Sequence, residues 1–298
     1  MRGDDMKKTI FALGFFDGVH LGHQALLRQC RCLASEYGFS VGAVTFQTHP
    51  DNLVLGSAQK LINTVSDRCR LLTAMGAESI ITLPFDEALR AMPWDAFLEQ
   101  LLSRGAAGFV CGDDFRFGFR GEGTAEKLAA FCCRRGIPCA VVPEQKLDGV
   151  RVSSTHIRSL LEAGDVETAC KFMGHPHILS GKVIPGRQLG RTMGVPTANL
   201  SIPDGVVVPA SGVYACRVLF DGKSYCAVTN VGSRPTVGGH HITVEPWILD
   251  FAGDLYGKEI TLEFHAFLRP EKKFDSLEEL KAQIHRDGEK CRKKFEKS

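Results

Sequence analysis

The first half of the chain alternates short apolar runs with longer segments whose apolar residues recur at helical spacing. The apolar runs predict buried strands at 8–13, 40–46, 79–83, 108–111 and 138–142. The periodic segments predict helices at 21–37, 67–75, 94–104 and 126–135. Strands that alternate with helices favour a doubly wound parallel sheet with helices on both faces, in which ligands bind at the carboxyl ends of the strands.

The pattern changes after about residue 178 to short segments in which apolar and polar residues alternate. The clearest is 259–268, where every second residue is apolar. Several such strands, with glycine and proline between them, predict a small closed or nearly closed β-barrel. A capping box, Ser276-x-x-Glu279, then opens a last amphipathic helix whose predicted apolar stripe runs from Leu277 to Phe295.

The length agrees with this change of pattern. The chain has 298 residues, and single hydrophobic cores stop growing at about 250–300 residues. We therefore predict two domains, 1–174 and 175–298.

The composition excludes some classes of protein. The 36 basic and 34 acidic side chains leave a net charge of +2, which argues against a nucleic-acid partner. The eleven cysteines lack the paired spacing of a structural zinc site and are expected to be reduced thiols. The chain shows no secretion signal and no apolar stretch that would span a bilayer, so we expect a cytoplasmic protein with no membrane partner.

The string Gly14–His23, Gly-Phe-Phe-Asp-Gly-Val-His-Leu-Gly-His, carries the first candidate chemistry. It lies where a strand ends and a helix begins, so free backbone N–H groups and the helix dipole converge on it. Its glycines let a phosphate approach the backbone, and its two histidines, three residues apart, can donate to phosphate oxygens. The predicted nucleotide site comprises Gly14, Phe16, Asp17, His20, Gly22 and His23.

Two further strings are predicted to lie at the same edge of the sheet. Ser153–Arg158 opens a helix with hydroxyl groups and an arginine, which suits a polyphosphate, and a plain helix cap is the alternative. Gly112–Gly118 follows the strand at 108–111. Its aromatic residues can line the pocket of a flat ring, and Asp114 can accept from a ribose or an adenine, while a loop with core aromatics is the alternative.

In the second half, Thr197 and Asn199 are two residues apart and point to one side of an extended segment. A hydroxyl and an amide carbonyl are oxygen ligands suited to Mg²⁺, and a proline-anchored turn is the alternative. The preceding residues are rich in glycine and arginine, as expected of a loop that wraps phosphates. The predicted phosphate-binding residues of this half are Gly186, Arg191, Gly194, Pro196 and Asn230, the last in a polar Gly/Pro loop that follows a strand.

Glu245 is an acidic residue in an otherwise apolar strand. Transfer of a phosphoryl group to an alcohol benefits from a carboxylate that accepts the hydroxyl proton. Glu245 is the candidate for this base, and a half-buried glutamate paired with an arginine is the alternative.

The N-terminal strings together resemble the bacterial bifunctional riboflavin kinase/FAD synthetase family, over residues 14 to about 174. The resemblance implies a Rossmann-like nucleotidyltransferase domain that transfers AMP from ATP to FMN, giving FAD and pyrophosphate. It rests on Gly14–His23, Thr45–Pro50, Asp114–Gly118 and Ser153–Arg158. It implies that His20 and His23 contact the ATP phosphates, that Ser154, Thr155 and Arg158 hold the triphosphate, and that Asp114 and Phe117 lie beside the nucleotide and the flavin. The catalytic residues expected in this half are His20, His23 and Arg158.

The C-terminal strings resemble the riboflavin kinase module of the same family, from about residue 180 to 295. The resemblance implies a six-stranded β-barrel kinase domain with a C-terminal helix. It assigns Thr197 and Asn199 to Mg²⁺ and ATP, and Glu245 to catalysis as the base. The implied substrates and products are riboflavin, FMN, FAD and ATP.

Three sites depart from the family pattern. They are Gln47-Thr48 before the His-Pro pair of 45–50, Gly-His-Pro-His at 174–177, and Pro246-Trp247 after Glu245. The leading hypothesis is a bifunctional enzyme that is a monomer or a weak homo-oligomer. One alternative is that only the adenylyltransferase half is active and that the second half is a degenerate flavin-binding module. A flavin or nucleotide sensor without turnover and a tRNA-charging enzyme are further alternatives.

Overall fold

The computed structural model describes residues 7–48, 59–186, 194–236 and 239–296. The chain forms two compact units. The first contains Met1–Leu61 and Val65–Ser154, and the second contains Ile62–Thr64 and Thr155–Ser298. The predicted boundary after residue 174 stays a prediction, and the segment 155–174 is grouped with the second unit.

A five-stranded parallel sheet forms the centre of the first unit. Its strands lie in the order β3-β2-β1-β4-β5. In chain order they are β1 (Thr9–Leu13), β2 (Ser40–Phe46), β3 (Ser79–Leu83), β4 (Ala106–Gly112) and β5 (Cys139–Val142). The chain therefore winds away from β1 in one direction and then in the other. This reversal opens a crevice at the carboxyl ends of β1 and β4, where doubly wound sheets bind ligands.

Helices cover both faces of this sheet, as the sequence predicts. They are α1 (Leu21–Tyr37), α2 (Val65–Ala74), α3 (Glu87–Arg90), α4 (Trp94–Leu102) and α5 (Ala125–Arg135). Side chains alternate along β1, so that Phe11 and Leu13 join one apolar core and Ile10 and Ala12 join the other. The core on the Phe11 side contains residues of α4 and α5, and the core on the Ile10 side contains residues of α1. The doubly wound prediction is confirmed.

A short hairpin and two helices follow the sheet. The hairpin consists of β6 (Lys146–Leu147) and β7 (Val150–Arg151), and the helices are α6 (Ser154–Glu162) and α7 (Val166–Met173). Helix α7 ends at Gly174, whose positive φ of 75° places it in the left-handed conformation typical of a helix C-cap. Within the second unit, the Cys170 thiol of α7 donates to the Phe264 carbonyl at 3.4 Å.

The second unit contains a closed six-stranded barrel, in the order β10-β11-β12-β9-β8-β13. Its strands are β8 (His177–Ile184), β9 (Asn199–Ser201), β10 (Gly212–Phe220), β11 (Lys223–Thr236), β12 (Gly239–Ile248) and β13 (Glu259–Arg269). Helix α8 (Leu277–Glu296) follows. The predicted barrel and its terminal helix are confirmed. The stretch 230–236, which we expected to be a loop, instead continues β11, because β12 pairs with it in one register as far as Thr236 and Gly239.

Helix α8 packs on the outside of the barrel through a tight contact at Gly288. A Cβ atom at this position would lie 2.9 Å from the indole ring of Trp247. The Asp287 carboxylate beside it is fully buried and accepts from the Arg269 Nε at 2.8 Å. The side chain of Trp247 also meets His285 edge to face, with ring centroids 5.7 Å apart. Trp247 is therefore part of the seam between β12 and the helix.

Gly288→Ala tests this seam. Alanine in an exposed helix interior stabilises by about 1 kcal/mol relative to glycine. Here we expect the opposite sign, a loss of about 1–3 kcal/mol in the free energy of unfolding, because the added methyl group meets the Trp247 ring. Urea denaturation followed by tryptophan fluorescence measures the change, and a stabilised variant would show that the helix does not pack closely on Trp247.

Candidate functional sites

The loop between β1 and α1 has an unusual backbone. Phe16 and Val19 both have positive φ, 62° and 36°, and Gly18 lies between them at 77°. Positive φ strains a residue that carries a side chain, and such strain persists only where the surroundings enforce it. The turn brings His20 to the N-cap position of α1, where its Nδ1 accepts from the backbone N–H of His23 at 3.4 Å.

The two histidines of this string stack on each other. Their ring centroids are 3.7 Å apart and the ring planes differ by 13°. Burial lowers the pKa of His23 well below 6.5, and the charges of His20 and Arg68 lower it further. The Nδ1 of His23 is buried and has no hydrogen-bond partner within the described residues. A neutral imidazole with an unsatisfied nitrogen next to an N-terminal helix turn is suited to hydrogen bonding with a bound anion.

Gly22 leaves room for the His20 ring in this stack. A Cβ atom at Gly22 would lie 3.2 Å from both Cε1 and Nδ1 of His20. Gly22→Ala should push the His20 ring away from His23. We expect the FAD synthesis that the family resemblance implies to fall about tenfold, since small misplacements of catalytic groups lower rates strongly. Steady-state kinetics of the two ATP-dependent reactions measure this effect, with the riboflavin kinase reaction as the control. Unchanged FAD synthesis would show that the stacked geometry is dispensable.

The two histidines line a pocket of about 190 Å³ in the crevice beside β1 and β4. Its other walls come from the end of β4, the segment after β5, the β6–β7 hairpin and the start of α6. Ser154 donates from its hydroxyl to the Asp17 carbonyl at 2.9 Å, which joins the second predicted string to the first. We call this the phosphate pocket. It is lined by His20, Gly22, His23, Asp114, Arg151 and Ser154, among others.

Arg151 was missed by the sequence analysis. It lines the phosphate pocket, pairs with Asp114 and lies 3.0 Å from the carboxylate of Glu144. The sequence could have indicated Arg151, because it stands two residues before the two serines at 153–154, which were already predicted to bind phosphate. Only the fold shows that the hairpin turns this arginine toward β4.

A second pocket in the same unit is lined by phenylalanines. Asp114 lines both pockets, so the two meet at the end of β4. Phe117 is 6% exposed and contacts the core residues Trp94 and Phe97, so it is both a core aromatic and part of the pocket wall. We call this the aromatic pocket. Its phenylalanines are Phe15, Phe46, Phe85, Phe97, Phe115, Phe117 and Phe119.

Thr155 and Arg158, which the sequence predicted for the first site, belong to the second unit. Arg158 is buried and donates to the Thr155 hydroxyl at 3.3 Å, one turn earlier in α6. This contact pre-orients the guanidinium along the helix. The position of both side chains relative to the phosphate pocket stays a prediction.

Strand pairing brings three predicted residues of the barrel together. Glu245 on β12 lies directly opposite Asn230 on β11. On its other side, β12 pairs Val244 with Leu200 and Trp247 with Thr197. Because this is one antiparallel register, Asn199 lies opposite Glu245. Directly opposed residues share a face of the sheet, so Glu245 is flanked by two asparagines.

A second carboxylate, which the sequence analysis missed, stands beside this group. Glu271 accepts from the Asn230 side-chain nitrogen at 3.1 Å. Gly232 leaves the space for it, since a Cβ there would lie 2.9 Å from the Glu271 carboxylate. Nothing in the string around Glu271 distinguishes it from its charged neighbours, so only the fold could identify it.

Thr197 lines a separate cavity of the barrel with Pro196, Phe251 and Tyr256. The Asn199 amide lies against Gly186, where a Cβ atom would collide with it. The two oxygen donors share one face and suit a hard cation. Of the residues that the structure describes, no group of three or more His, Cys, Asp or Glu could hold a metal ion, so Mg²⁺ here would also need phosphate ligands. Gly194 has a φ of 73°, and Arg191 lies outside the described residues.

Comparison with known proteins adds an independent observation. The family model described as FAD synthetase matches residues 3–156, and the one described as Riboflavin kinase matches residues 173–295. The bifunctional riboflavin kinase/FMN adenylyltransferase of Bacillus subtilis is 32% identical over 98% of this chain and 94% of its own length. The chain belongs to this bifunctional family. The bifunctional protein of Pseudomonas fluorescens is 36% identical, over 93% of this chain and 90% of that protein.

A solved structure also matches both halves of this family member. The crystal structure of a protein named a macrolide-efflux protein, from Streptococcus pneumoniae, has a TM-score of 0.84. It is 31% identical and covers 96% of this chain and 94% of that one. Across 7–48, 59–186, 194–236 and 239–296, the structure contains no helix with the length and apolar character needed to cross a membrane.

The Pro246-Trp247 departure leaves the strand pairing around Glu245 intact. The Pro246 carbonyl accepts from the Ala198 N–H at 2.9 Å and therefore faces the β9 side. In a strand, the N–H and C=O of one residue point the same way, so the missing donor of Pro246 also faces β9. The ladder between β11 and β12 continues through Thr229 and Pro246. Pro246 therefore removes a donor on the β9 side and none from the ladder with β11.

Proposed function

We propose that this chain carries out the two activities of its family, phosphorylating riboflavin to FMN and adenylylating FMN to FAD, both with ATP. The observation that carries the proposal is the presence of two separate sites of suitable chemistry. One has stacked histidines in a phosphate pocket next to an aromatic pocket. The other has a carboxylate between two asparagines on a barrel strand.

In the first site, the phosphate pocket takes the ATP phosphates and the aromatic pocket takes the flavin ring of FMN. An FMN phosphate oxygen attacks the α-phosphorus of ATP, a new P–O bond forms, and the bond to the β-phosphate breaks to release pyrophosphate. The FMN phosphate is already ionised at neutral pH, so no general base is needed. Catalysis consists of alignment and stabilisation of the developing charge.

The roles within this site follow from the contacts. His20 and His23 donate to the phosphates from one face of α1, and Ser154 anchors the start of α6 to the Asp17 carbonyl. Asp114 lies at the meeting point of the two pockets, where the nucleotide and the flavin join. We place Thr155 and Arg158 on the triphosphate, as the family resemblance implies.

In the second site, Glu245 accepts the proton of the riboflavin hydroxyl as its oxygen attacks the γ-phosphorus of ATP. The bond between the β- and γ-phosphates breaks and ADP leaves. Asn199 and Asn230 lie directly opposite Glu245 on the two neighbouring strands. ATP occupies the cavity beside Thr197, with its phosphates near Gly186, Arg191, Gly194 and Pro196.

Mg²⁺ is the cofactor that this kinase site would use. Thr197 and Asn199 would hold it through their side-chain oxygens. When bound, it neutralises phosphate charge and polarises the phosphoryl group.

The single-activity alternative is weakened by the integrity of the second site. Glu245 keeps both of its cross-strand asparagines despite the neighbouring proline. A sensor without turnover would have no use for a base in this position. We also propose that the protein works in the cytoplasm as a monomer or a weak homo-oligomer, and all eleven of its cysteines are free thiols.

A coupled assay by liquid chromatography tests the proposal. The purified protein is incubated with ATP and Mg²⁺, once with riboflavin and once with FMN. Conversion of riboflavin to FMN and then to FAD supports both activities. If FMN becomes FAD while riboflavin is untouched, the kinase half is degenerate, and if neither substrate changes, the proposal as a whole is wrong.

A further inference from the structure

Arg68 is the largest fully buried side chain of the residues described, and the chemistry above does not use it. It stands in the first turn of α2, and its neighbour Arg70 is exposed. Burial lowers the pKa of Arg68, and the nearby carboxylate of Asp17 opposes that shift. Removing a guanidinium from water is unfavourable, and an apolar side chain of similar volume would hold the same elements together without that penalty. The buried cation therefore calls for an explanation beyond packing.

The guanidinium of Arg68 ties together the ends of two neighbouring strands. One terminal nitrogen donates to the carbonyl of Phe15, two residues after β1, at 3.0 Å. The other donates to the carbonyl of Phe46, the last residue of β2, at 2.6 Å. The Thr45 hydroxyl also donates to the Phe15 carbonyl, at 2.7 Å. The guanidinium carbon lies 4.3 Å from the centroid of the Phe15 ring. Phe15 is thus held both at its carbonyl and at its ring.

Both of the residues that Arg68 holds line the aromatic pocket. Phe15 also begins the strained turn that ends at His20, on the edge of the phosphate pocket. A shift of Phe15 would therefore change the aromatic wall first and would reach the histidines through Phe16.

We propose that Arg68 is a positioning residue for adenylyl transfer, which holds Phe15 and Phe46 in the arrangement that binds the flavin ring beside the phosphate pocket. The proposal rests on the assignment of the aromatic pocket to FMN. Arg68 should act mainly on the flavin substrate, because its hydrogen bonds and its ring contact reach the aromatic wall directly. On the ATP side it contributes a positive charge near His23, and Arg68→Lys keeps that charge.

Steady-state kinetics of Arg68→Lys test the proposal. Lysine keeps the positive charge, but its single nitrogen cannot donate to both carbonyls in the way that the two terminal nitrogens of arginine do. We expect the KM for FMN to rise about tenfold, with the KM for ATP and the riboflavin kinase rate within about twofold of the unchanged protein. Arg68→Met, which also removes the charge, should lower kcat/KM for FMN about 100-fold. Arg70→Lys is the matched control, because it makes the same change at an exposed residue of the same helix and keeps a positive charge beside the buried Asp67 carboxylate, and it should change neither reaction.

The competing outcomes are distinct. A purely structural role would reduce the folded fraction, which lowers kcat and leaves both KM values unchanged, and this result in Arg68→Lys would overturn the proposal. Equal increases in the KM for FMN and for ATP would overturn it as well. If the unchanged protein makes no FAD, the proposed function fails, and quenching of FMN fluorescence on binding still compares the affinity of Arg68→Lys with that of the unchanged protein.

Discussion

His23→Ala is expected to lower the synthesis of FAD from FMN about 10²–10³-fold, the range found when one preorganised donor to a developing negative charge is removed. The stacked pair with His20 and the neutral state of His23 make this donor available at pH 7, because burial keeps the pKa of His23 well below 6.5. Alanine is well tolerated in the first turn of a helix, so α1 should remain intact. The measurement is kcat/KM for FMN, with pyrophosphate release as a second readout.

Two controls make this result specific. Arg28→Ala changes an exposed residue of the same helix and should leave FAD synthesis unchanged. Riboflavin phosphorylation by His23→Ala should stay within about twofold, since Glu245 and its partners lie in the other unit. FAD synthesis that stays within about threefold of the unchanged protein would remove His23 from the mechanism, because a lost donor is expected to have a far larger effect.

Glu245→Gln should have the complementary effect. Glutamine has the shape of glutamate and keeps its capacity to hydrogen-bond, but it cannot act as the base that accepts the hydroxyl proton. We expect the conversion of riboflavin to FMN to fall about 10²–10⁴-fold, the contribution of a positioned general base. FMN supplied directly should still become FAD at an unchanged rate. Chromatography of both reactions measures the two outcomes together.

Glu259→Gln is the matched control for this prediction, because it makes the same chemical change on an exposed residue of strand β13. It should leave both reactions unchanged. If Glu245→Gln phosphorylates riboflavin normally, the proton acceptor lies elsewhere, and Glu271, which contacts Asn230 at 3.1 Å, becomes the candidate to test.

The histidine string could be interpreted from the sequence because its chemistry is local. His23 lies in the first turn of α1 and His20 caps the same helix three residues earlier, and the strand before them ends where the string begins. The stack of the two rings depends on Gly22 and on the strained turn at Phe16 and Val19, which spacing does not show. The sequence thus predicted the donors, and the fold decided their orientation.

In the barrel site, what the sequence predicted and what the fold decided are easier to separate. Thr197, Asn199 and Glu245 were each predicted from their own strings, but nothing in those strings states that Asn199 lies opposite Glu245. That fact depends on the pairing of β12 with β9, two strands that are distant in the sequence. Asn230 was expected in a loop and lies in a strand, since pairing with β12 outweighs the local turn signals of glycine and proline. Helix α8 contains a smaller error of the same kind, because Leu277 of its predicted apolar stripe is 66% exposed.

The sequence by itself determined the two-part architecture, the parallel sheet, the barrel and the residue types that can bind phosphate. These properties follow from periodicity and from chemistry that a few neighbouring residues carry. The tertiary structure alone decided the strand order β3-β2-β1-β4-β5, the cross-strand neighbours of Glu245 and the burial of Arg68. Nothing in the sequence distinguishes Arg68 from Arg70. Only the packing of α2 against the strand ends buries Arg68 and gives it two backbone carbonyls to bind. Such contacts between distant segments leave no periodic signal in either segment.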